Sequence, residues 1–149
     1  MKAWIANVAF AAGLMTSGAA LAGEYYAISY SKTLLAVADL SNTVANGERI
    51  TTWMTFVFRP AKDGVQFSVE RTEMDCPGKR SRVVSFVSYS AKNEIVDRGG
   101  PGVWRDVVPE SIGDLTLNAL CRPETRDPGL IMLADRKTIV DRYLDRTPD

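Results

Sequence analysis

From residue 24 onward, short apolar runs rich in Tyr, Ile, Leu and Val are separated by turn residues, the pattern of strands joined by short turns. Residues 24–29 (EYYAIS) and 33–38 (TLLAVA) are short runs of Tyr, Ile, Leu and Val. Residues 48–58 (ERITTWMTFVF) are apolar on both faces, which predicts a strand central in its sheet. Asp63-Gly64 then reads as a hairpin tip. In VQFSVERTEMDC, Val65, Phe67 and Val69 alternate with Gln66, Ser68 and Glu70. Pro77-Gly78 turns the chain into residues 80–90 (RSRVVSFVSYS), and a weaker run follows at 94–98. Gly99-Gly100-Pro101-Gly102 reads as a flexible loop. Strands joined by such short turns predict an antiparallel meander.

The period changes after Pro109. Glu110-Ser111 can cap a short helix over 114–120, ending at Cys121. Asp127-Pro128 is a helix-start signal, and Leu130, Leu133, Lys137, Val140 and Leu144 recur at three- and four-residue steps beyond it. An amphipathic helix over 128–145 follows, able to cover the sheet or to pair with a second copy. The expected fold is α+β: a single antiparallel sheet of five or six strands covered by C-terminal helices. The expected divisions are a leader over 1–22, a β domain over 23–121 and a helical extension over 122–149.

The leader carries Lys2, an apolar run from Trp4 to Leu14, and Ala20-Leu21-Ala22 in the small-x-small pattern of a signal-peptidase site. Gly13, Thr16, Ser17 and Gly18 interrupt it, which favours a cleaved signal over a spanning anchor. Cleavage before Gly23 leaves 127 residues bound for the periplasm or the exterior. Glu24 stands where a lipoprotein would carry its modified cysteine, so no stable membrane anchor is expected. Cys76 and Cys121 are the only two cysteines, and an even count in an exported chain reads as one disulfide.

Composition narrows the chemistry. Eighteen basic residues balance eighteen acidic ones, which removes the basic excess that nucleic acid requires. There is no histidine, so Ser-His, Cys-His and His-metal arrangements are excluded. Asp39, Asp97 and Asp106 lack calcium-loop spacing, and no cofactor is expected. The carboxylates of Glu70, Glu73 and Asp75 share one strand, with Glu73 and Asp75 on one face as the best acid/base pair. Arg71, Lys79, Arg80 and Arg82 nearby should hold that pair ionised, whereas a general acid needs a raised pKa. Tyr25, Tyr26, Tyr30, Trp53, Tyr89 and Trp104 could line a groove, although aromatic residues in strands more often pack; Trp104 is expected against the disulfide.

Taken together, Tyr25-Tyr26 in the first strand, Val37-Ala38-Asp39 in the second and Thr52-Trp53 in the third form a pattern. It continues with Asp75-Cys76 followed by Arg80 and Arg82, then Trp104, Pro109, Ser111 and Cys121. The span from Glu24 to Cys121 resembles the surface-adhesin protein E-like domains of small exported bacterial proteins. The resemblance implies an antiparallel sheet with a helix, no catalytic residues, and binding of host proteins by a lipid-anchored founding member. This chain departs from it in lacking the lipidation cysteine and in extending past Cys121.

The expected function is therefore a non-enzymatic, exported, adhesin-like binding module with an unidentified protein partner. Tyr25, Tyr26, Arg80, Arg82 and Trp104 are its expected surface. The alternative is a periplasmic enzyme or enzyme inhibitor using Glu73 and Asp75 or the aromatic groove. A homodimer through the 128–145 helix is a third expectation.

Overall fold

A computed structural model describes residues 22–146, so the leader lies outside the described residues except for Ala22. In chain order the elements are β1 (Gly23–Tyr30), β2 (Leu34–Asp39), β3 (Val44–Asn46), β4 (Arg49–Lys62), β5 (Val65–Asp75) and β6 (Arg80–Tyr89). Then follow β7 (Ile95–Gly99), β8 (Arg105–Asp106), α1 (Ile112–Cys121), β9 (Ile131–Ala134) and α2 (Arg136–Asp145). Every pairing is antiparallel, and the sheet runs β7-β6-β5-β4-β2-β1-β9 with β3 on β4 and β8 on β6.

The six expected strands became β1, β2, β4, β5, β6 and β7. The sheet nevertheless has nine strands among the described residues, not five or six. The three extra strands are two to four residues long, too short to show a period. At the β4–β5 hairpin Asp63 and Gly64 sit at φ 51° and 81°. Positive φ at both central residues is the requirement of the turn that matches strand twist, and Asp-Gly meets it at low cost.

The expected helix over 128–145 is half wrong. Asp127 does cap, its Oδ1 accepting from the Gly129 amide at 2.8 Å, but only a single 3-10 turn at Pro128–Leu130 follows. Ile131–Ala134 then pairs with β1, Gly23 opposite Ala134 and Tyr26 opposite Ile131. The free edge of β1 offers these residues backbone partners, which outweighs a modest helical preference. A second cap restarts the helix: Asp135 Oδ1 accepts from the Thr138 amide at 2.8 Å. Arg59 closes the far end by donating to the carbonyls of Tyr143 and Arg146. Its guanidinium also lies 4.4 Å from the Tyr143 ring centroid.

Both helices pack on the β1-β2-β4 half of the sheet, one on each face. On one face Tyr26, Ile28, Ala36, Ala38, Met54 and Met74 meet Leu117, Ala119 and Leu120 of α1. On the other, Tyr25, Leu35, Val37 and Val57 meet Ile139, Val140 and Tyr143 of α2. Each large apolar side chain buried this way contributes about 1.5–3 kcal/mol. The loop after β2 is held by Asp39, which is 2% exposed. Its carboxylate accepts from the Asn42 backbone and side-chain amides at 3.0 and 2.9 Å, and its carbonyl accepts from the Thr43 and Thr52 hydroxyls.

Cys76, just beyond β5, is bonded to Cys121 at the end of α1, with α-carbons 5.8 Å apart. The bond joins the helix to the sheet at one end and closes a long loop. Replacing both cysteines by serine should cost about 4 kcal/mol, the loop-entropy scale for this separation. Urea unfolding of the double variant beside the parent checks this; an unchanged midpoint would contradict it.

Candidate functional site

Apart from Met74 under α1 and Phe67 beside α2, the helices leave the β5-β6 half of both faces without helical cover, and each bare part carries its own chemistry. On the α2 face the register puts Arg49 opposite Asp75 and Asp75 opposite Arg80. One row further, Thr51 stands opposite Glu73, and Glu73 opposite Arg82. The resulting ladder is fully paired. Arg82 Nη2 lies 2.6 Å from Glu73 Oε2, Arg80 Nη2 lies 2.6 Å from Asp75 Oδ2, and Arg49 reaches Glu73 at 3.8 Å.

Trp104 lies beside this ladder because β8 pairs with the start of β6. The guanidinium carbons of Arg82, Arg49 and Arg80 stand 4.9, 5.3 and 5.8 Å from its ring centroid. An indole face attracts cations through its quadrupole, and each carboxylate holds its arginine in place. The sequence placed Trp104 against the disulfide; the contacts that define it are these three guanidiniums. Arg80, Arg82 and Trp104 are thus brought together as one surface. Arg49 was not singled out; it meets Asp75 only because the β4–β5 register shifts between Val57 and Lys62, an irregularity with no signal in the sequence.

Tyr25 and Tyr26 do not belong to that surface. They are 6% and 8% exposed and face opposite sides of β1, each in a core. A strand with a helix on both faces buries consecutive residues, as Tyr25 to Ile28 are buried here. Tyr26 accepts a hydrogen bond from the Asp127 amide at 3.2 Å, and burial beside Asp39 raises the Tyr25 pKa. Tyr89 stacks on Phe67 with centroids 4.7 Å apart, while Tyr30 stays exposed at the edge of Tyr143. Asp39, Asp97 and Asp106 lie on three different strands, β2, β7 and β8.

On the α1 face the bare half is a groove of about 490 Å³. Phe58, Val65, Val83, Phe86 and Pro101 line it, and Glu70 and Ser68 lie among them. Ser88 donates to Ser68, and Ser68 to Glu70 Oε1, both at 3.3 Å. One wall is the Gly99–Gly102 segment, which proves close-packed rather than loose. A Cβ on Gly100 (φ 124°) would stand 2.3 Å from the Val84 carbonyl oxygen, and the Gly102 amide donates to the Val83 carbonyl at 2.8 Å.

Two carboxylates on neighbouring parts of β5 are shifted in opposite directions. Burial raises the pKa of Glu70 against the smaller opposing effect of the Ser68 hydrogen bond. The Arg80 hydrogen bond, and then the Gly78 amide, lower that of Asp75. A raised carboxyl pKa favours the fold below its unfolded value of about 4.3, and that advantage is lost as pH rises through the folded value. Glu70→Gln should therefore be more stable than the parent at pH 7, with the gap closing below about pH 4. Asp75→Asn should behave oppositely: less stable at pH 7, with the deficit vanishing as pH falls below the usual carboxylate range near 3.9. Thermal melts of both variants from pH 2.5 to 7.5 check the signs. Parallel curves for parent and variants would refute them.

No curated protein and no solved structure matches the chain. The family model described as surface-adhesin protein E matches residues 26–122, which holds the larger part of β1, all of β2 to β8, α1, both cysteines and the Arg–Trp ladder. Among the described residues no helix is long and apolar enough to cross a membrane. The matched span covers most of the chain and ends at the disulfide-bearing helix, so the chain belongs to the surface-adhesin protein E family.

Proposed function

We propose that the chain is exported and acts as a non-enzymatic, adhesin-like binding module of the bacterial envelope, recognising a protein partner through the Trp104 face. The observation that carries this is the indole of Trp104 beside three arginines that are themselves pinned by Glu73 and Asp75. Trp and Arg dominate the energetics of protein interfaces, and side chains held before contact lose less entropy on binding. The side chains of Arg49, Arg80 and Arg82 are 55%, 45% and 32% exposed, so the guanidiniums remain open to a partner. Family membership supports the same direction.

The ladder also argues against catalysis by Glu73 and Asp75. Both carboxylates are engaged by arginine, and the Asp75 pKa moves down, the wrong way for a general acid. Cleavage before Gly23 agrees with the fold, since Gly23 pairs with Ala134 and a chain cut there keeps the β1–β9 ladder intact.

The protein purified from the periplasm or medium should begin at Gly23 by N-terminal sequencing; a membrane-bound form starting at Met1 would contradict export by cleavage. Capture of envelope or host-surface proteins should be lost in Trp104→Ala and weakened several-fold in Arg82→Ala, both still folded by circular dichroism. Capture that survives both substitutions would place recognition elsewhere. Turnover of an ester, glycoside, peptide or phosphate substrate that disappears in Glu73→Gln would replace the binding module with an enzyme.

A further inference from the structure

The groove on the α1 face is on the opposite side of the sheet from Trp104 and is independent of the function proposed above. Its walls are aromatic and aliphatic, and its volume of about 490 Å³ falls in the range of small-molecule sites. The charged group that the sheet itself contributes to it is Glu70. Glu70 is half-buried, forms none of the ion pairs among the described residues, and accepts its hydrogen bond from a neutral hydroxyl. Lys62 and Asp63 also line the groove from the exposed β4–β5 hairpin, and Lys62 makes no ion pair with Glu70.

A half-buried carboxylate with no ion pair is a costly arrangement, because burial penalises its charge and only the Ser68 hydroxyl opposes that. The rest of β5 shows the contrast: Glu73 and Asp75 each hold an arginine. The contour of the groove is also fixed. Gly99 leaves room for the Phe86 ring, which a Cβ there would approach to 3.0 Å, and Gly100 packs directly on the β6 backbone. Phe58 and Phe86 give aromatic surface beside the carboxylate, the combination that favours an ammonium over a metal ion or an anion.

We propose that this groove binds a small organic amine in its ammonium form. The ammonium donates to Glu70, and the apolar body lies among Phe58, Val83, Phe86 and Pro101. The Ser88–Ser68 hydroxyl pair orients the carboxylate from behind. A free small molecule is the occupant assigned, because the groove matches the volume of one and Glu70, the carboxylate that the sheet itself contributes, satisfies one charge.

Titration of the ¹⁵N-labelled protein with benzylammonium tests this by NMR. Saturable shifts are expected at the amides of Glu70, Phe86, Gly100 and Gly102. Benzyl alcohol, the neutral analogue, should bind at least about tenfold more weakly, the scale of one charge-assisted hydrogen bond. Glu70→Gln should remove that preference without unfolding the protein. Val83→Phe, which narrows the groove and leaves the carboxylate alone, should weaken both probes. Trp104→Ala should change neither, which separates this site from the partner surface. Absence of shifts in the groove, equal binding of amine and alcohol, or an unchanged preference in Glu70→Gln would overturn the proposal. Tighter binding of a blocked Gly-Lys-Gly peptide than of benzylammonium would overturn the assignment to a free small amine.

Discussion

Coverage is the constraint that shapes this molecule. Seven strands side by side span about 29 Å at the usual inter-strand spacing, whereas a ten-residue helix is only about 15 Å long. Two such helices cannot cover both faces. They are placed on opposite faces of the same half, and the sheet between them becomes the core: Ala36, Val37, Ala38 and Val57 have no exposed surface. Beyond Met74 and Phe67, the β5-β6-β7 half must then solve its two faces with strands and loops. On one it pairs charges across the ladder; on the other it bends a glycine segment over the sheet. Both candidate surfaces follow from that shortage of helix.

Once the β5–β6 turn is set, the Glu73 and Asp75 pairs of the polar ladder follow from pairing alone. Asp75 and Glu73 precede the turn at Cys76-Pro77-Gly78-Lys79, and Arg80 and Arg82 follow it. Antiparallel pairing with that turn sets residue 75 against 80 and 73 against 82. Such exposed pairs contribute little stability, often less than about 1 kcal/mol. What they supply is geometry: an arginine held by a carboxylate on its own sheet keeps a fixed relation to Trp104. The signal that suggested a catalytic pair in the sequence is thus the signal of an ordered arginine cluster.

Much of this was legible in the residues, and the failures have identifiable physical causes. The six longer strands, the Asp63-Gly64 tip, the Ser111 cap of α1 and the disulfide all rest on local rules or simple counting, and they appear as read. Tyr25 and Tyr26 were misplaced because burial on both faces of β1 depends on α1 and α2, elements more than eighty residues away. The segment 128–145 was misread because two capping aspartates, Asp127 and Asp135, both send start signals. Only the unpaired edge of β1 decides that the first yields a single turn and a strand. Leu133, expected on the inner stripe of a helix, is 75% exposed as a consequence.

The least legible feature is one residue in β6. Pairing with β5 runs evenly from Asp75–Arg80 to Thr72–Val83, then resumes at Arg71–Ser85, leaving Val84 as an extra residue in the strand. A one-residue slip exchanges the faces of everything beyond it. Without it, strict alternation would place Arg80, Arg82, Val84, Phe86 and Ser88 on a single face. With it, Arg80 and Arg82 stay in the charge ladder while Phe86 and Ser88 cross to the groove beside Glu70 and Ser68. Tyr89 crosses the other way and stacks on Phe67. The same irregularity seats the far wall, since Gly100 packs on the Val84 carbonyl at a distance that only a residue without Cβ can reach. A single bulge therefore gives the bare half of the sheet two different faces, one cationic and aromatic, the other apolar around one carboxylate. No alternation pattern in RSRVVSFVSYS reveals it, because its cause lies in the strands and loop that pack on either side.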